Sequence, residues 1–183
     1  MSYKVHTVET APEPARETIT AVKKAYGFLP NLIGVMAQAP ALMKAYRQAV
    51  DLFDETSLTP AERHVVLLTV SFENGCDYCV AAHTVIAGMQ KVPGPVVQAI
   101  RTGQSIADSR LEALRRFVSS VVINRGRPSA ADTAAFLQAG FSKTQVLEVV
   151  LGVGVKTLSN YTNHIAETPL DPAFASAAWT KAA

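Results

Sequence analysis

The sequence predicts an all-α protein, built as a helical bundle around one cysteine-bearing helix. Three observations point that way: apolar residues recur at helical spacing in most segments, the segments open on helix-start chemistry and close on Gly or Pro, and no hairpin turn joins short alternating runs. Pro12-Glu13-Pro14 opens a first helix with Ile19, Val22 and Tyr26 on one face, and Gly27 and Pro30 end it. A short segment runs from Asn31 to Ala39 and is closed by Pro40. Leu42, Met43, Tyr46, Val50 and Phe53 then mark one face of a second long helix. Thr59-Pro60-Ala61-Glu62 combines a Thr cap, proline at the first helical position and Glu at the third, which together start a mostly buried helix carrying Val65, Val66, Leu68 and Val70. Asn74-Gly75 breaks that helix, and the next begins at about Cys76.

Beyond it, Val92-Pro93-Gly94-Pro95 is a breaker, followed by a short helix to Thr102-Gly103. Asp108 or Ser109 caps a helix bearing Leu111, Leu114, Phe117, Val118 and Val121, which Arg125-Gly126-Arg127-Pro128 ends. Ser129 caps another that stops at Gly140. Ser142 and Gln145 form a capping box for the last long helix, with Val146, Val149, Val150, Val153 and Leu158. The β-branched run from Val146 to Val155 suits a strand by propensity, but its length and its capping box favour helix. Gly152 and Gly154 in this helix are expected to allow close backbone approach. Residues 169–183 contain Phe174 and Trp179 without a clear period, and read as a tail packed on the body or on a neighbouring subunit. The whole chain, 1–183, reads as a single domain with residues 1–57 as its N-terminal helical part.

Composition narrows the function. A chain of 183 residues, 49% hydrophobic and 17% charged, buries a real core and is not a disordered one. Low charge with positive mean hydropathy suggests apolar surface shared between subunits, so a homo-oligomer is expected. The formal net charge is +2 and the basic residues are scattered, which argues against a nucleic-acid partner. No apolar run is long enough for a membrane span, and Met1-Ser2-Tyr3-Lys4 leads into polar sequence rather than a secretory leader. A cytoplasmic location is expected, and no Gly-rich phosphate loop suggests a cofactor.

Both cysteines of the chain fall in one helical turn, in Cys76-Asp77-Tyr78-Cys79-Val80-Ala81-Ala82-His83. On a helix this spacing sets Cys76, Cys79 and His83 along one stripe. A dithiol beside an imidazole can form a disulfide, attack an oxidant or hold a metal. In a reducing compartment such a pair is catalytic, redox-active or metal-binding before it is a structural staple. Gly75 places Cys76 near the helix cap, where unpaired backbone N–H groups and the dipole favour a thiolate. One thiol would attack and the other resolve the product into a disulfide, with His83 moving the proton and Glu73 offering a carboxylate. Zinc is the rival: Cys76, Cys79 and His83 would need a fourth ligand from His64, Glu73 or His164, and no second Cys pair exists. His6 reads as solvated, His64 as a satisfied core or interface histidine, His164 as a C-terminal cap, and Glu62 as part of its capping box.

The stretch from Glu73 to His83 resembles the core of the alkyl hydroperoxidase D and carboxymuconolactone decarboxylase superfamily. Leu58-Thr59-Pro60-Ala61-Glu62-Arg63 resembles the lead-in to that core. Leu29-Pro30-Asn31-Leu32 with Ala39-Pro40-Ala41-Leu42 is similar to the N-terminal part of its peroxidase-related branch, and Thr157-Leu158-Ser159-Asn160-Tyr161-Thr162-Asn163-His164 to its C-terminal part. The resemblance implies an all-α fold assembling as trimers or hexamers, and a peroxide-reducing dithiol. Cys79 would be the peroxidatic cysteine, Cys76 the resolving one, and His83 part of the proton relay. Two departures matter. Where the hydroperoxidase pattern has a catalytic glutamate, twelve residues before the first cysteine, this chain has His64; where it has a second histidine between the cysteines, this chain has Tyr78. Glu73, or less directly Glu62, is then expected to supply the missing carboxylate.

The expected function is a thiol-dependent peroxidase, an oxidoreductase reducing hydroperoxides through Cys76 and Cys79 and recharged by a dithiol or thioredoxin-like reductant. The alternatives are a carboxymuconolactone decarboxylase-type lyase, which needs no dithiol, and a redox-sensing oligomer with little turnover.

Overall fold

In the computed structural model, which describes residues 3–181, nine α-helices follow one another, and among these residues there is no strand. They are α1 (Glu13–Tyr26), α2 (Asn31–Met36), α3 (Pro40–Asp54), α4 (Pro60–Glu73), α5 (Asp77–Met89), α6 (Gly94–Arg101), α7 (Ser109–Ile123), α8 (Ala130–Gln138) and α9 (Lys143–Ala166), followed by a 3₁₀ helix at Pro172–Ala177. The boundaries follow the local chemistry. Gly27 ends α1 with φ of 77°, a left-handed conformation that costs glycine little. At the head of α4 the Thr59 side chain accepts from Glu62 N (3.3 Å) while Glu62 Oε2 accepts from Thr59 N (2.8 Å). Ser142 and Gln145 repeat the same exchange at α9, at 3.2 and 2.9 Å. The valine-rich run of α9 is helical throughout, as its capping box and length require.

Helix α4 is the centre of the bundle, packed by α5, α6, α7 and α9. Two apolar cores result. The larger, including Phe53, Val66, Leu68, Leu114, Phe117, Phe136 and Val149, lies under α4, α6, α7, α8 and α9. The smaller joins α1, α2 and α3 to the start of α5 and contains Ile19, Ile33, Met36, Met43, Cys76, Cys79 and Phe174. The cysteine pair therefore sits in an apolar core formed with the N-terminal helices.

The tail folds back on the body. Phe174 is buried and meets Tyr78 and Phe28 edge-on, with ring centroids 6.1 and 5.8 Å apart. Trp179 Nε1 donates to Arg101 O at 2.8 Å. His6, expected in solvent, is buried instead: its two ring nitrogens pair with Thr10 O (2.8 Å) and Gln38 Oε1 (2.9 Å), because the N-terminal strand of chain runs against α2.

Only one of the two α9 glycines meets a close neighbour. A Cβ on Gly152 would lie 2.7 Å from Val66 and 2.8 Å from Phe53, so glycine is what lets α9 seat against α3 and α4. Gly154 faces open space, contrary to the expectation for it. Gly152→Ala should therefore lower the unfolding free energy by about 1–3 kcal/mol through overpacking. Gly154→Ala should raise it by up to about 1 kcal/mol through helix propensity. Denaturant unfolding of the two variants checks this, and shifts of the same sign contradict it.

Candidate active site

The link from α4 to α5 sets the geometry of the thiols. Gly75 takes φ of 65°, which turns the chain so that Cys76 N donates to Ser71 O at 2.9 Å and Cys76 becomes the N-cap of α5. Cys79 then falls in the first turn of the helix, where the free N–H groups favour a negative sulfur. Both thiols are free and buried, 1% and 2% exposed.

Helix α9 closes over them with a polar stripe: Lys156, Ser159 and Asn163 recur at helical spacing and are all buried. Asn163 Nδ2 donates to Cys79 Sγ at 3.2 Å and lies 3.8 Å from Cys76 Sγ. Ser159 Oγ lies 3.9 Å from Cys79 Sγ. The Lys156 ammonium meets His83 Nε2 at 3.0 Å, one turn before Ser159 on the same buried stripe, and its charge bears on the Cys79 sulfur.

This surrounding splits the two thiols. Burial opposes ionisation of Cys79, but the hydrogen bond from Cys76, the charge of Lys156, and the Ser159 contact together hold it well below the ordinary thiol value of 9.0. Cys76 moves up, because it donates its proton toward Cys79 and because it is buried. Burial, the nearby ammonium and His64 keep His83 well below the ordinary imidazole range, so at neutral pH the ring is neutral. Its Nε2 accordingly accepts from Lys156, which leaves its proton on Nδ1, a buried atom without a partner.

The residues expected from the sequence divide into two groups. Cys76 and Cys79 lie together at the start of α5, and His83, one turn further on the same helix, meets Lys156. His64 stands behind His83, with ring centroids 6.1 Å apart, and burial lowers its pKa; its Nδ1 has no partner, so it is not the satisfied histidine expected. Tyr78 is occupied elsewhere: its hydroxyl donates to Asp171 Oδ2 and accepts from Leu32 N at 3.3 Å. Asp171 also takes Asn31 N on both oxygens at 3.1 Å, so Tyr78 and the tail together cap α2. Glu73 does not reach the sulfurs as a relay carboxylate: Ser119 on α7 donates to it. Glu62 remains in its capping box and pairs with Arg110 at 3.0 Å. His164 is exposed in the last turn of α9. Among the described residues no three His, Cys, Asp or Glu side chains converge as metal ligands. Lys156, Asn163 and Asp171 were missed. The one sequence signal for the first two is the helical spacing of Lys156, Ser159 and Asn163 just after the apolar run Val149 to Val155.

Residues 37–113 match the model of the carboxymuconolactone decarboxylase family, a span that holds the α4 capping box, both cysteines and His83. That stretch of the chain is similar to the carboxymuconolactone decarboxylase family. Among curated proteins none matches the sequence. In fold it is similar to an AhpD-core, peroxidase-related protein from Ralstonia eutropha JMP134, with a TM-score of 0.83 and 23% identity over 94% of this chain and 93% of that one. A peroxidase-related protein from Silicibacter sp. TM1040 gives 0.79 and 16% over 95% and 96%. The debrominase Bmp8 gives 0.74 and 18% over 90% and 88%. At these identities the likeness carries the all-α AhpD-like fold.

Two measurements test the site. The ultraviolet absorbance of the thiolate should persist at neutral pH and fade as pH falls through a midpoint below 9.0, because a lowered pKa leaves Cys79 ionised on its alkaline side. Cys79→Ser should abolish the signal and Cys76→Ser should keep it; a midpoint at or above the ordinary value contradicts the assignment. Tyr78→Phe should cost about 1–3 kcal/mol of stability in denaturant unfolding, since Leu32 N loses its acceptor and Asp171 loses a donor. An unchanged midpoint would mean the latch is not formed.

Proposed function

We propose that this protein is a thiol-dependent peroxidase working through Cys79 and Cys76. The observation that carries the reading is the division of labour between the sulfurs. Cys79 lies in the first turn of α5 with Asn163 Nδ2 at 3.2 Å and Ser159 Oγ at 3.9 Å, surroundings that favour its thiolate, while Cys76 at the N-cap is pushed up and stays a thiol. That is the pair a two-step reduction needs. The Cys79 thiolate attacks the distal oxygen of a hydroperoxide, the O–O bond breaks, and an alcohol leaves. Cys76 then condenses with the Cys79 sulfenic acid, releasing water and forming a disulfide. A dithiol or thioredoxin-like donor returns both sulfurs to the reduced state. The match of residues 37–113 to the carboxymuconolactone decarboxylase family and the fold likeness to a peroxidase-related protein support this class of chemistry. The working unit is a homo-oligomer, a trimer or hexamer as the resemblance implies. Among the described residues no helix is long and apolar enough to cross a membrane.

A second reading draws on one observation: both sulfurs are closed off within the smaller core. A site that opens rarely suits a redox-responsive oligomer with little turnover. Hydroperoxide consumption in the presence of a dithiol separates the two. The peroxidase consumes hydroperoxide catalytically, Cys79→Ser is inactive, and Cys76→Ser stops at the sulfenic acid, trapped by dimedone and seen by mass spectrometry. Equal consumption by wild type and Cys79→Ser rejects the reading, and a single equivalent consumed per chain selects the redox-responsive one.

A further inference from the structure

The ammonium of Lys156 needs an explanation that neither the disulfide chemistry nor His83 supplies. Lys156 is 1% exposed. Among the described residues no carboxylate lies within salt-bridge distance of it. A buried ammonium without an anion beside it is strongly unfavourable, and lysines so placed give up their proton. The titratable groups that face it are few. Tyr46 comes from α3, Cys76, Cys79 and His83 from α5, and His64 from α4 stands behind His83. Burial holds Tyr46 as the phenol, Cys76 keeps its proton, and the histidines carry no negative charge. Cys79 is the group left to be the anion. The placement agrees: the Lys156 nitrogen meets His83 Nε2 at 3.0 Å, and on the same buried face of α9, one turn on, Ser159 Oγ lies 3.9 Å and Asn163 Nδ2 3.2 Å from Cys79 Sγ, so the amine is held beside the thiol that those residues line.

We propose that Lys156 is the catalytic acid of this site: its ammonium holds Cys79 as a thiolate and then gives a proton to the oxygen that leaves. The first half rests on the burial of Lys156, its contact with His83 and the lack of a carboxylate beside it among the described residues, and the second on the peroxidase reading. The balance closes within the site. Cys79 thiolate takes the distal OH of the hydroperoxide, the O–O bond breaks, and the departing alkoxide takes a proton from Lys156, giving Cys79 sulfenic acid, an alcohol and a neutral amine. Cys76 thiol attacks that sulfenic acid, forming the S–S bond and releasing water. The oxidised site thus holds a disulfide beside a neutral amine. A reducing dithiol gives two hydrogens back: one becomes the Cys76 thiol and the other restores the Lys156 ammonium opposite the Cys79 thiolate. His83, neutral throughout, accepts from the Lys156 nitrogen and is a positioning residue. The carboxylate that this chain lacks near its thiols is then not needed, because a cation already carries the proton.

The test uses the reduced full-length chain at neutral pH, hydrogen peroxide as probe, and a weakly buffered indicator solution that reports protons taken from solvent. Thiolate absorbance and disulfide formation are followed together. The expected result is loss of the thiolate with no solvent proton consumed, because Lys156 has supplied it. One proton taken up per disulfide leaves the ammonium in place and overturns the donor role. This measurement needs only the wild-type protein. Variants separate the two halves. Lys156→Met should slow both iodoacetamide alkylation of Cys79 and its oxidation by peroxide, by about 100-fold or more. Lys156→Arg keeps a charge that does not leave as a proton, so alkylation should stay close to wild type while oxidation falls. Unchanged alkylation in a folded Lys156→Met protein overturns the ion pair. If alkylation depends on Lys156 but peroxide does not oxidise wild type, the ion pair is supported, and the donor role falls together with the peroxidase reading.

Discussion

A positive charge without water around it must have an anion beside it, and in this fold that requirement is met at one place. Lys156 lies inside the molecule, and the group opposite it is the sulfur of Cys79. The two belong to helices brought together by separate local devices. The Ser142–Gln145 capping box starts α9, and Gly152 lets that helix settle on Val66 and Phe53, which fixes the depth of Lys156 one turn later. Gly75 and the Cys76 N-cap start α5 and aim Cys79 inward. Lys156 and Cys79 thus restrain each other, since moving either helix alone would strand a buried charge.

Where the resembled pattern places a glutamate stands His64, buried beside His83, and between the cysteines stands Tyr78, whose hydroxyl joins Leu32 N to Asp171. Neither replacement supplies an anion or an acid to the thiols. The charge in their neighbourhood comes from the far helix, and it is positive. A cation there lowers the thiol pKa directly, whereas a carboxylate would raise it unless it acted as a base. Tyr78 has gained a structural task at the same time: it ties the tail and α2 over the start of the cysteine helix. Opening of that cover and ionisation of the sulfur beneath it are adjacent in space, since Tyr78 lies between the two cysteines in sequence.

What the sequence made legible was what local chemistry decides. Thr59-Pro60-Ala61-Glu62 and Ser142 with Gln145 name their helix starts because the partners lie within one turn. Cys76, Cys79 and His83 could be joined for the same reason, through the spacing of a single helix. Lys156 could not, because it meets His83 across 73 residues and its neighbourhood exists only once α9 is packed. A lysine in an apolar helix reads by itself as a solvated charge. Glu73 illustrates the reverse error: adjacency in sequence to the cysteines suggested a relay, but its side chain turns to Ser119 on α7. Nothing near His6 in sequence announces Gln38 as a partner, so the sequence reads it as solvated, and Asp171 carries no local signal because its bonds reach back 140 residues, to Asn31.

The most direct measurement is the side-chain nitrogen NMR shift of Lys156 at neutral pH, in the reduced protein and after the Cys76–Cys79 disulfide has formed. A thiolate partner requires an ammonium in the reduced chain and a neutral amine once that thiolate is gone. An amine already neutral in the reduced protein, or an ammonium unchanged by oxidation, would contradict the pairing of Lys156 with Cys79.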